Sequence, residues 1–79
     1  MRITVKLFAT LRRYGPELPA GAGFELEVPA DANVEKAVEC LGIPAAVALV
    51  AMVNNDAVHL DHVLVAGDVL SLFPPVAGG

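Results

Sequence analysis

The sequence contains few of the residues that build disulfides, nucleic-acid sites or membrane spans. It has a single cysteine, Cys40, so an internal disulfide is excluded and a reducing cytoplasm is the expected location. Five lysines and arginines face nine acidic residues, and the net charge of −4 argues against nucleic acid and against an anionic membrane as partners. No apolar run reaches the roughly 18 residues that a membrane-spanning helix needs. The N-terminal residues, which alternate between apolar and polar, do not predict a signal peptide.

Hydrophobic residues, in contrast, are abundant. They make up 56% of the 79 residues. A single domain of this size buries only about 60% of the surface that its unfolded chain exposes. The surplus of apolar residues indicates an exposed apolar patch, and therefore a protein partner.

Alternating apolar and polar residues predict two strands in the first part of the chain. The alternation covers residues 3–7 and 24–28, so each strand has one buried face. The segment RRYGPELPAGAG at residues 12–23 is dense in glycine and proline and predicts a turn. Two strands joined in this way favour an antiparallel hairpin.

After residue 29 the spacing of the apolar residues changes from every second residue to that of an α-helix, which predicts one short helix. Apolar residues recur at i, i+3, i+4 and i+7, at Val34, Ala37, Val38 and Leu41. Asn33 is a suitable N-cap, and Glu35 in the first turn suits the positive end of the helix dipole. Gly42 suits the left-handed position that ends a helix, and Pro44 prevents its continuation.

The second half of the chain predicts three more strands. Residues 45–55 are apolar without a clear period, which favours a strand buried on much of both faces at the centre of the sheet; a helix over 45–52 is the alternative. Turns at 54–56 and 65–68, with Gly67 at positive φ, separate this segment from strands at 57–60 and 69–73. The order β-β-α-β-β-β predicts an α+β, β-grasp (ubiquitin-like) fold, a mixed sheet of about five strands with one main helix on one face.

Three stretches together resemble a known family: LFATLRRYG at 7–15, VNND at 53–56 and LVAGDVLSLFPPVAGG at 64–79. Over essentially its whole length the chain looks like the small subunit of molybdopterin synthase. That protein belongs to the ubiquitin-like sulfur carriers, which also include the thiamine sulfur carrier. Its helical region is shorter than is usual for the molybdopterin type. In this it is similar to carriers that serve tungsten cofactor, thiamine or sulfur amino acids, so the pathway stays open.

The resemblance implies chemistry at the C-terminal carboxylate. A ubiquitin-activating-like adenylyltransferase would use ATP to form an acyl-adenylate at Gly79, and sulfur would then replace the adenylate to give a thiocarboxylate. This sulfur would be donated to a pterin precursor in the active site of the molybdopterin synthase large subunit. The chain has no phosphate-binding glycine loop and no nucleophile beside a base. We therefore expect a non-catalytic, sulfur-donating subunit that binds neither a cofactor nor a metal.

The last six residues have the properties of an arm that delivers this carboxylate. Prolines fix φ and carry no N–H, so a double proline ends sheet pairing and holds the next residues extended. Residues with small side chains or none fit a narrow channel, and six residues reach at most roughly 20 Å. We expect a β-grasp domain over 1–73 and a flexible tail over 74–79. The tail residues expected to contact a partner are Pro74, Pro75, Val76, Ala77 and Gly78.

Two aromatic residues predict where a partner docks. The positions of Phe8 and Phe73 in the alternating pattern place both on the sheet face that the helix leaves uncovered, with Val50 or Met52 possible neighbours. In the family this face meets both the activating enzyme and the large subunit. The resemblance also implies that Arg12 forms a salt bridge with a partner. It implies no role for Arg13.

The histidines and the single cysteine do not predict a further functional site. His59 and His62 are three residues apart, but zinc requires three or four convergent ligands, so surface histidines are expected. Cys40, on the flank of the helical stripe, is expected to be a partly buried, inert thiol rather than a persulfide relay.

Two other functions stay open: a protein modifier joined to lysines through Gly79, and a binding module that uses only its open sheet face.

Overall fold

A computed structural model describes residues 1–75, which form a five-stranded mixed sheet with one α-helix on one face. The sheet order is β2-β1-β5-β3-β4, in which β1 and β5 are parallel and the other pairs are antiparallel. The elements are β1 (Arg2–Leu7), a 3₁₀ helix (Ala9–Tyr14), β2 (Phe24–Glu27), α1 (Val34–Cys40), β3 (Val50–Val53), β4 (Asp56–Val58) and β5 (Val69–Phe73). The predicted α+β, β-grasp fold is confirmed.

The first hairpin is confirmed, but part of its predicted turn is helical. Arg2 pairs with Glu27 in the antiparallel β1–β2 ladder. Between these strands, Ala9–Tyr14 forms a 3₁₀ helix in which the Leu11 amide donates to the Phe8 carbonyl at 3.1 Å. Leu11 is only 2% exposed, so its burial in the core holds these turns against the sheet. The glycines and prolines that predicted a turn lie beyond this helix.

The structure corrects the prediction for the third strand. Instead of spanning 45–55, β3 covers Val50–Val53, and residues 45–49 form a turn and an irregular segment. It is not central, because it lies between β5 and the edge strand β4. Nor is it buried on both faces, since Val50 is 44% exposed while Ala51 and Val53 are buried. The alternative helix over 45–52 is absent from this described part of the chain.

Helix α1 begins and ends where the sequence predicts. The Asn33 side chain caps it by accepting a hydrogen bond from the Lys36 amide at 2.9 Å. At the other end Gly42 has φ 79°, and its amide donates to the Glu39 carbonyl at 2.9 Å. The Ile43 amide donates to the carbonyl of Val38 at 3.2 Å, which completes the hydrogen bonding of a Schellman motif.

The core lies between α1 and the sheet face that it covers. The alternating residues of β1 and β5 supply the sheet side, and the helical stripe supplies the other. Its most completely buried large side chains are Ile3, Val5, Val34, Leu64, Leu70 and Leu72. Across residues 1–75, no helix combines the length and the hydrophobicity needed to cross a bilayer.

Asp68 is a buried carboxylate that joins two turns. It is 6% exposed, and its Oδ2 accepts from the Val65 amide at 2.9 Å. Its Oδ1 accepts from Asn54 Nδ2 at 2.9 Å, and Asn54 Oδ1 in turn accepts from the Val69 amide at 3.0 Å. This network fixes the β3–β4 turn against the start of β5, the strand that leads to the C-terminal tail.

Replacing this carboxylate is expected to destabilise the domain. Asp68→Ala removes two part-buried hydrogen bonds to a carboxylate, from the Asn54 side chain and the Val65 amide, so the free energy of unfolding should fall by about 1–3 kcal/mol. Urea denaturation measures the change, and Asp61→Ala, at an exposed turn position, is the control that should leave stability within about 0.5 kcal/mol of the parent. Equal stability of the two variants would contradict the structural role of this network.

Candidate partner-docking surface

Phe8 and Phe73 lie side by side on the uncovered face of the sheet. Their rings are stacked, with centroids 4.4 Å apart and planes inclined by 8°. Phe8 directly follows β1, and its amide donates to the Leu72 carbonyl at 3.1 Å, which places it beside the last residue of β5. Both side chains are half-buried. The two aromatic residues that sequence alternation assigned to this face therefore meet there.

The stacked rings are part of a larger apolar surface. Val50 pairs with Phe73 and Met52 pairs with Ser71 across the β3–β5 ladder, so both apolar side chains lie on the same face as the aromatic pair and border it. The surface forms a shallow depression of about 430 Å³. We call it the Phe8–Phe73 patch; its residues are Phe8, Ala9, Val50, Met52, Phe73 and Pro74. Aromatic residues and methionine are enriched at the centres of protein interfaces, so the composition suits docking.

Ala9 belongs to the patch, although its residue type gave no indication of this. Its φ of 53° lies in the left-handed region, which costs a residue other than glycine about 1–2 kcal/mol. The unusual dihedral turns the chain from β1 into the 3₁₀ helix immediately after Phe8. Strained backbone of this kind is often found at functional sites.

The opposite end of the same sheet face is charged. Arg2 Nε donates to Glu27 Oε1 at 3.1 Å, and Arg2 Nη1 lies 3.9 Å from Glu25 Oε2. The hydrogen bond that Arg2 donates lowers the pKa of the Glu27 carboxyl group. The same hydrogen bond is the largest cause that raises the pKa of Arg2, and the negative charge of Glu25 is the next. The uncovered face therefore changes from charged to apolar towards the end of β5. A partner that recognises both ends can dock in only one orientation.

Arg12 lies on the 3₁₀ helix, where it supports the following loop. Its Nη2 donates to the Leu18 carbonyl at 2.6 Å, and the side chain is exposed. Within residues 1–75 it forms no ion pair. The partner salt bridge expected for Arg12 stays a prediction. Its neighbour Arg13 lies over the Tyr14 ring, 5.7 Å from the centroid.

The histidines and the cysteine lie elsewhere. His59 and His62 are exposed and belong to one turn, in which the His62 amide donates to the His59 carbonyl at 3.1 Å. Over residues 1–75 no three His, Cys, Asp or Glu side chains cluster in a way that could hold a metal. The prediction that Cys40 is partly buried is wrong, because its thiol is exposed. Cys40 is the last residue of α1, where the flank of the apolar stripe faces solvent.

The patch adjoins the root of the tail. Strand β5 ends at Phe73, Pro74 is half-buried against the patch, and Pro75 is exposed. The remaining predicted site residues, Val76, Ala77, Gly78 and Gly79, lie outside the described residues, and their roles stay predictions. A partner on the patch would therefore begin its contact at the residue where the arm leaves the sheet.

Comparison with known proteins identifies the family. A sequence profile described as the ThiS family matches residues 5–79. The chain belongs to the ThiS family. The predicted membership of the ubiquitin-like sulfur carrier superfamily is thereby confirmed. No curated protein sequence matches the chain significantly.

Solved structures agree with the ThiS family assignment. SAMP1, small archaeal modifier protein 1 of Haloferax volcanii, is 29% identical with a TM-score of 0.74, and 100% of each chain is covered. A Pyrococcus furiosus protein assigned as subunit 1 of molybdopterin converting factor is 27% identical with a TM-score of 0.71, covering 95% of this chain and 98% of the other. Subunit 1 of the same factor from Helicobacter pylori, in complex with subunit 2, is 25% identical with a TM-score of 0.61 and 100% of each chain covered. This ThiS-family chain is thus a sulfur carrier or a ubiquitin-like modifier.

Proposed function

We propose that this ThiS-family chain is the sulfur-carrying small subunit of a molybdopterin synthase. The observation that carries the proposal is the Phe8–Phe73 patch, an exposed apolar surface that adjoins the root of a proline-led arm. Such an arrangement lets a partner hold the domain by its rigid sheet while the arm enters the partner's active site. The likeness to the Helicobacter pylori subunit that is complexed with subunit 2 supports a large-subunit partner.

The chemistry takes place at Gly79. Its carboxylate, with an ordinary pKa of about 3.5, is ionised at neutral pH and is a poor electrophile. In a partner adenylyltransferase a carboxylate oxygen attacks the α-phosphate of ATP, pyrophosphate leaves and an acyl-adenylate forms. A hydrosulfide ion then attacks the acyl carbon, so that a carbon–sulfur bond forms as the carbon–oxygen bond to AMP breaks, and the product is the thiocarboxylate. In the large subunit the thiocarboxylate sulfur attacks a carbon of the pterin precursor and displaces an oxygen substituent, which leaves the chain joined to the pterin as a thioester. Water then cleaves the bond between sulfur and the acyl carbon, so the sulfur stays on the pterin and the Gly79 carboxylate is restored. Two such transfers supply the two sulfurs of one dithiolene.

Both partners use the same surface of the chain. The adenylyltransferase and the large subunit must each receive the arm, and the patch is the apolar surface next to its root. Their binding is therefore sequential, so release from the first partner precedes docking on the second. The charged end of the sheet face, formed by Arg2 and the neighbouring glutamates, sets the orientation in both complexes.

Reconstitution tests the proposed pathway. The thiocarboxylated chain, mixed with the large subunit encoded by the same genome and the pterin precursor, is expected to yield a dithiolene-bearing pterin while the chain reverts to the carboxylate. Liquid chromatography with mass detection measures both products. Failure to form the dithiolene, together with sulfur transfer to a thiazole precursor in a parallel reaction, would assign the chain to the thiamine pathway instead.

Protein modification is a second candidate function, favoured by the likeness to SAMP1. That protein is a small archaeal modifier and is 29% identical to this chain over its full length. Modification requires the same activated glycine but ends in an isopeptide bond to a lysine. Conjugates that survive boiling in detergent and reductant, and that disappear when Gly79 is deleted, would establish this role. Their absence in cells that contain active adenylyltransferase would exclude it.

A further inference from the structure

A groove on the helix side of the domain lies on the other side of the sheet from the Phe8–Phe73 patch. It is bounded by the outer surface of α1, the segment that follows the helix, and the turn after β4, and it encloses about 200 Å³. Most of its surface is apolar. We call it the α1 groove; its apolar side chains are those of Val38, Ile43, Pro44, Ala45, Val47, Leu49 and Leu60.

The groove exists because α1 is short. The helix ends at Cys40 after seven residues, about 10 Å, and Gly42 then turns the chain. The connecting residues up to 49 form neither a helix nor a strand and are mostly exposed, with Ile43 buried. Val47 and Leu49 consequently pack on the core along one side and remain half-buried on the other.

Backbone hydrogen bonds hold the groove open. The Glu35 amide donates to the Leu60 carbonyl at 2.9 Å, and the Val34 amide donates to the His62 carbonyl at 3.0 Å. These bonds attach the turn after β4 to the first turn of α1, so Leu60 lies at the edge of the groove with 45% of its surface exposed. An apolar site fixed in this way needs little reorganisation to bind a ligand.

The edge of the groove on the helix is acidic. Glu35 and Glu39 are one turn apart on α1, both exposed, and both border the groove. Lys36 Nζ reaches Glu39 Oε1 at 4.0 Å, but both side chains are exposed and such a pair is weak. Within residues 1–75, Glu35 forms no ion pair. The groove thus combines an apolar floor with two carboxylates.

We propose that the α1 groove binds a partner-protein segment in which one aliphatic side chain is flanked by lysine or arginine. The aliphatic side chain fills the apolar floor, and the flanking cations meet Glu35 and Glu39. Charge argues against a second copy of the chain, whose net charge is −4. It also argues against the chain's own terminal carboxylate, which the two glutamates repel.

This site is independent of the proposed sulfur chemistry. The groove lies on the helix-covered side of the sheet, whereas the Phe8–Phe73 patch lies on the uncovered side. Both surfaces are therefore available at the same time. A second protein can be recruited without displacing the partner that receives the tail.

Peptide titration tests the proposal. The probe is an acetylated, amidated peptide with two lysines on each side of a single leucine, added to the isotope-labelled chain at low salt and followed by amide chemical shifts. Saturable shifts are expected at Val38, Ile43 and Leu60. The same peptide with alanine in place of leucine should bind at least about fivefold more weakly, because it loses most of the buried apolar surface.

A matched pair of variants tests the charged edge. Glu35→Gln with Glu39→Gln should weaken binding of the leucine peptide by about fivefold, whereas Glu17→Gln with Asp56→Asn, the same change of net charge at exposed positions off the groove, should not. The proposal is overturned if the leucine and alanine peptides bind equally, if the two double variants behave alike, if the shifts map to the Phe8–Phe73 patch, or if no saturable shift occurs.

Discussion

Deleting Gly79, or adding one residue after it, is expected to abolish sulfur transfer. Activation requires the glycine carboxylate to reach the α-phosphate of ATP, and a displacement of a single residue, about 3.3 Å, removes the reacting atom from a site that tolerates errors well below that distance. Formation of the pterin dithiolene in the reconstituted system measures the effect. We expect a loss of at least about 10³-fold.

Stability provides the control for this result. Residues 1–73 hold the sheet, the helix and the buried core, so a change at residue 79 should leave the melting temperature within about 1 °C of the parent. Loss of transfer with unchanged melting would locate the defect in the chemistry of the tail. If the extended chain supported dithiolene formation without being trimmed, the proposed role of the Gly79 carboxylate would be wrong.

The second large effect is expected at the Phe8–Phe73 patch. Val50→Glu places a carboxylate beside the stacked rings, where docking of a partner would bury it without a counter-ion. Because Val50 is 44% exposed in the free chain, the substitution should change its stability little. Titration calorimetry with the large subunit should show affinity reduced by about 100-fold or more, equivalent to about 3 kcal/mol.

Val65→Glu is the matched control for that substitution. Val65 is also an exposed valine, at 62%, but lies in the turn before β5 and outside the patch. Both variants make the net charge more negative by one, so a non-specific charge effect would weaken both. Equal affinity of Val50→Glu and the parent chain would show that the partner docks elsewhere.

Local features of the fold were predictable because each rests on neighbouring residues. The helix caps at Asn33 and Gly42 form where their side-chain and backbone chemistry predicts. The last strand spans Val69–Phe73 as the alternation predicts. The turn at residues 54 and 55 is also confirmed, with φ of 50° and 73° at the two asparagines. None of these features depends on which strands are neighbours.

Strand order was not predictable in the same way. The alternation at 69–73 predicts a strand but not its neighbours, and β5 lies at the centre of the sheet because it pairs in parallel with β1 and antiparallel with β3. Pairing between residues far apart in the chain leaves no local pattern. The segment at 45–55 was therefore predicted as a central strand, although Ala45, Val47 and Leu49 line the α1 groove and only Val50–Val53 forms a strand.

The candidate site was predictable in composition but not in detail. Alternation alone assigned Phe8 and Phe73 to one face, because successive side chains of a strand point to opposite sides. The contact between the two rings depends on the parallel register of β1 and β5. The position of Ala9 in the patch depends on a left-handed φ, which alanine rarely adopts. Cys40 is exposed because the flank of the apolar stripe faces solvent at the last residue of α1, and which flank of a helix is covered depends on tertiary packing rather than on the spacing of its own residues.

The central claim, that Gly79 carries sulfur, is tested most directly by intact-mass spectrometry of the chain co-expressed with the adenylyltransferase from the same genome. We expect the mass to increase by the difference between a sulfur and an oxygen atom, with fragmentation placing the change on the last residue and alkylation confirming a reactive thioacid. The same preparation without ATP turnover should retain the carboxylate mass. A chain that stays unmodified beside an active adenylyltransferase, or that carries the sulfur on Cys40 instead, would contradict the account.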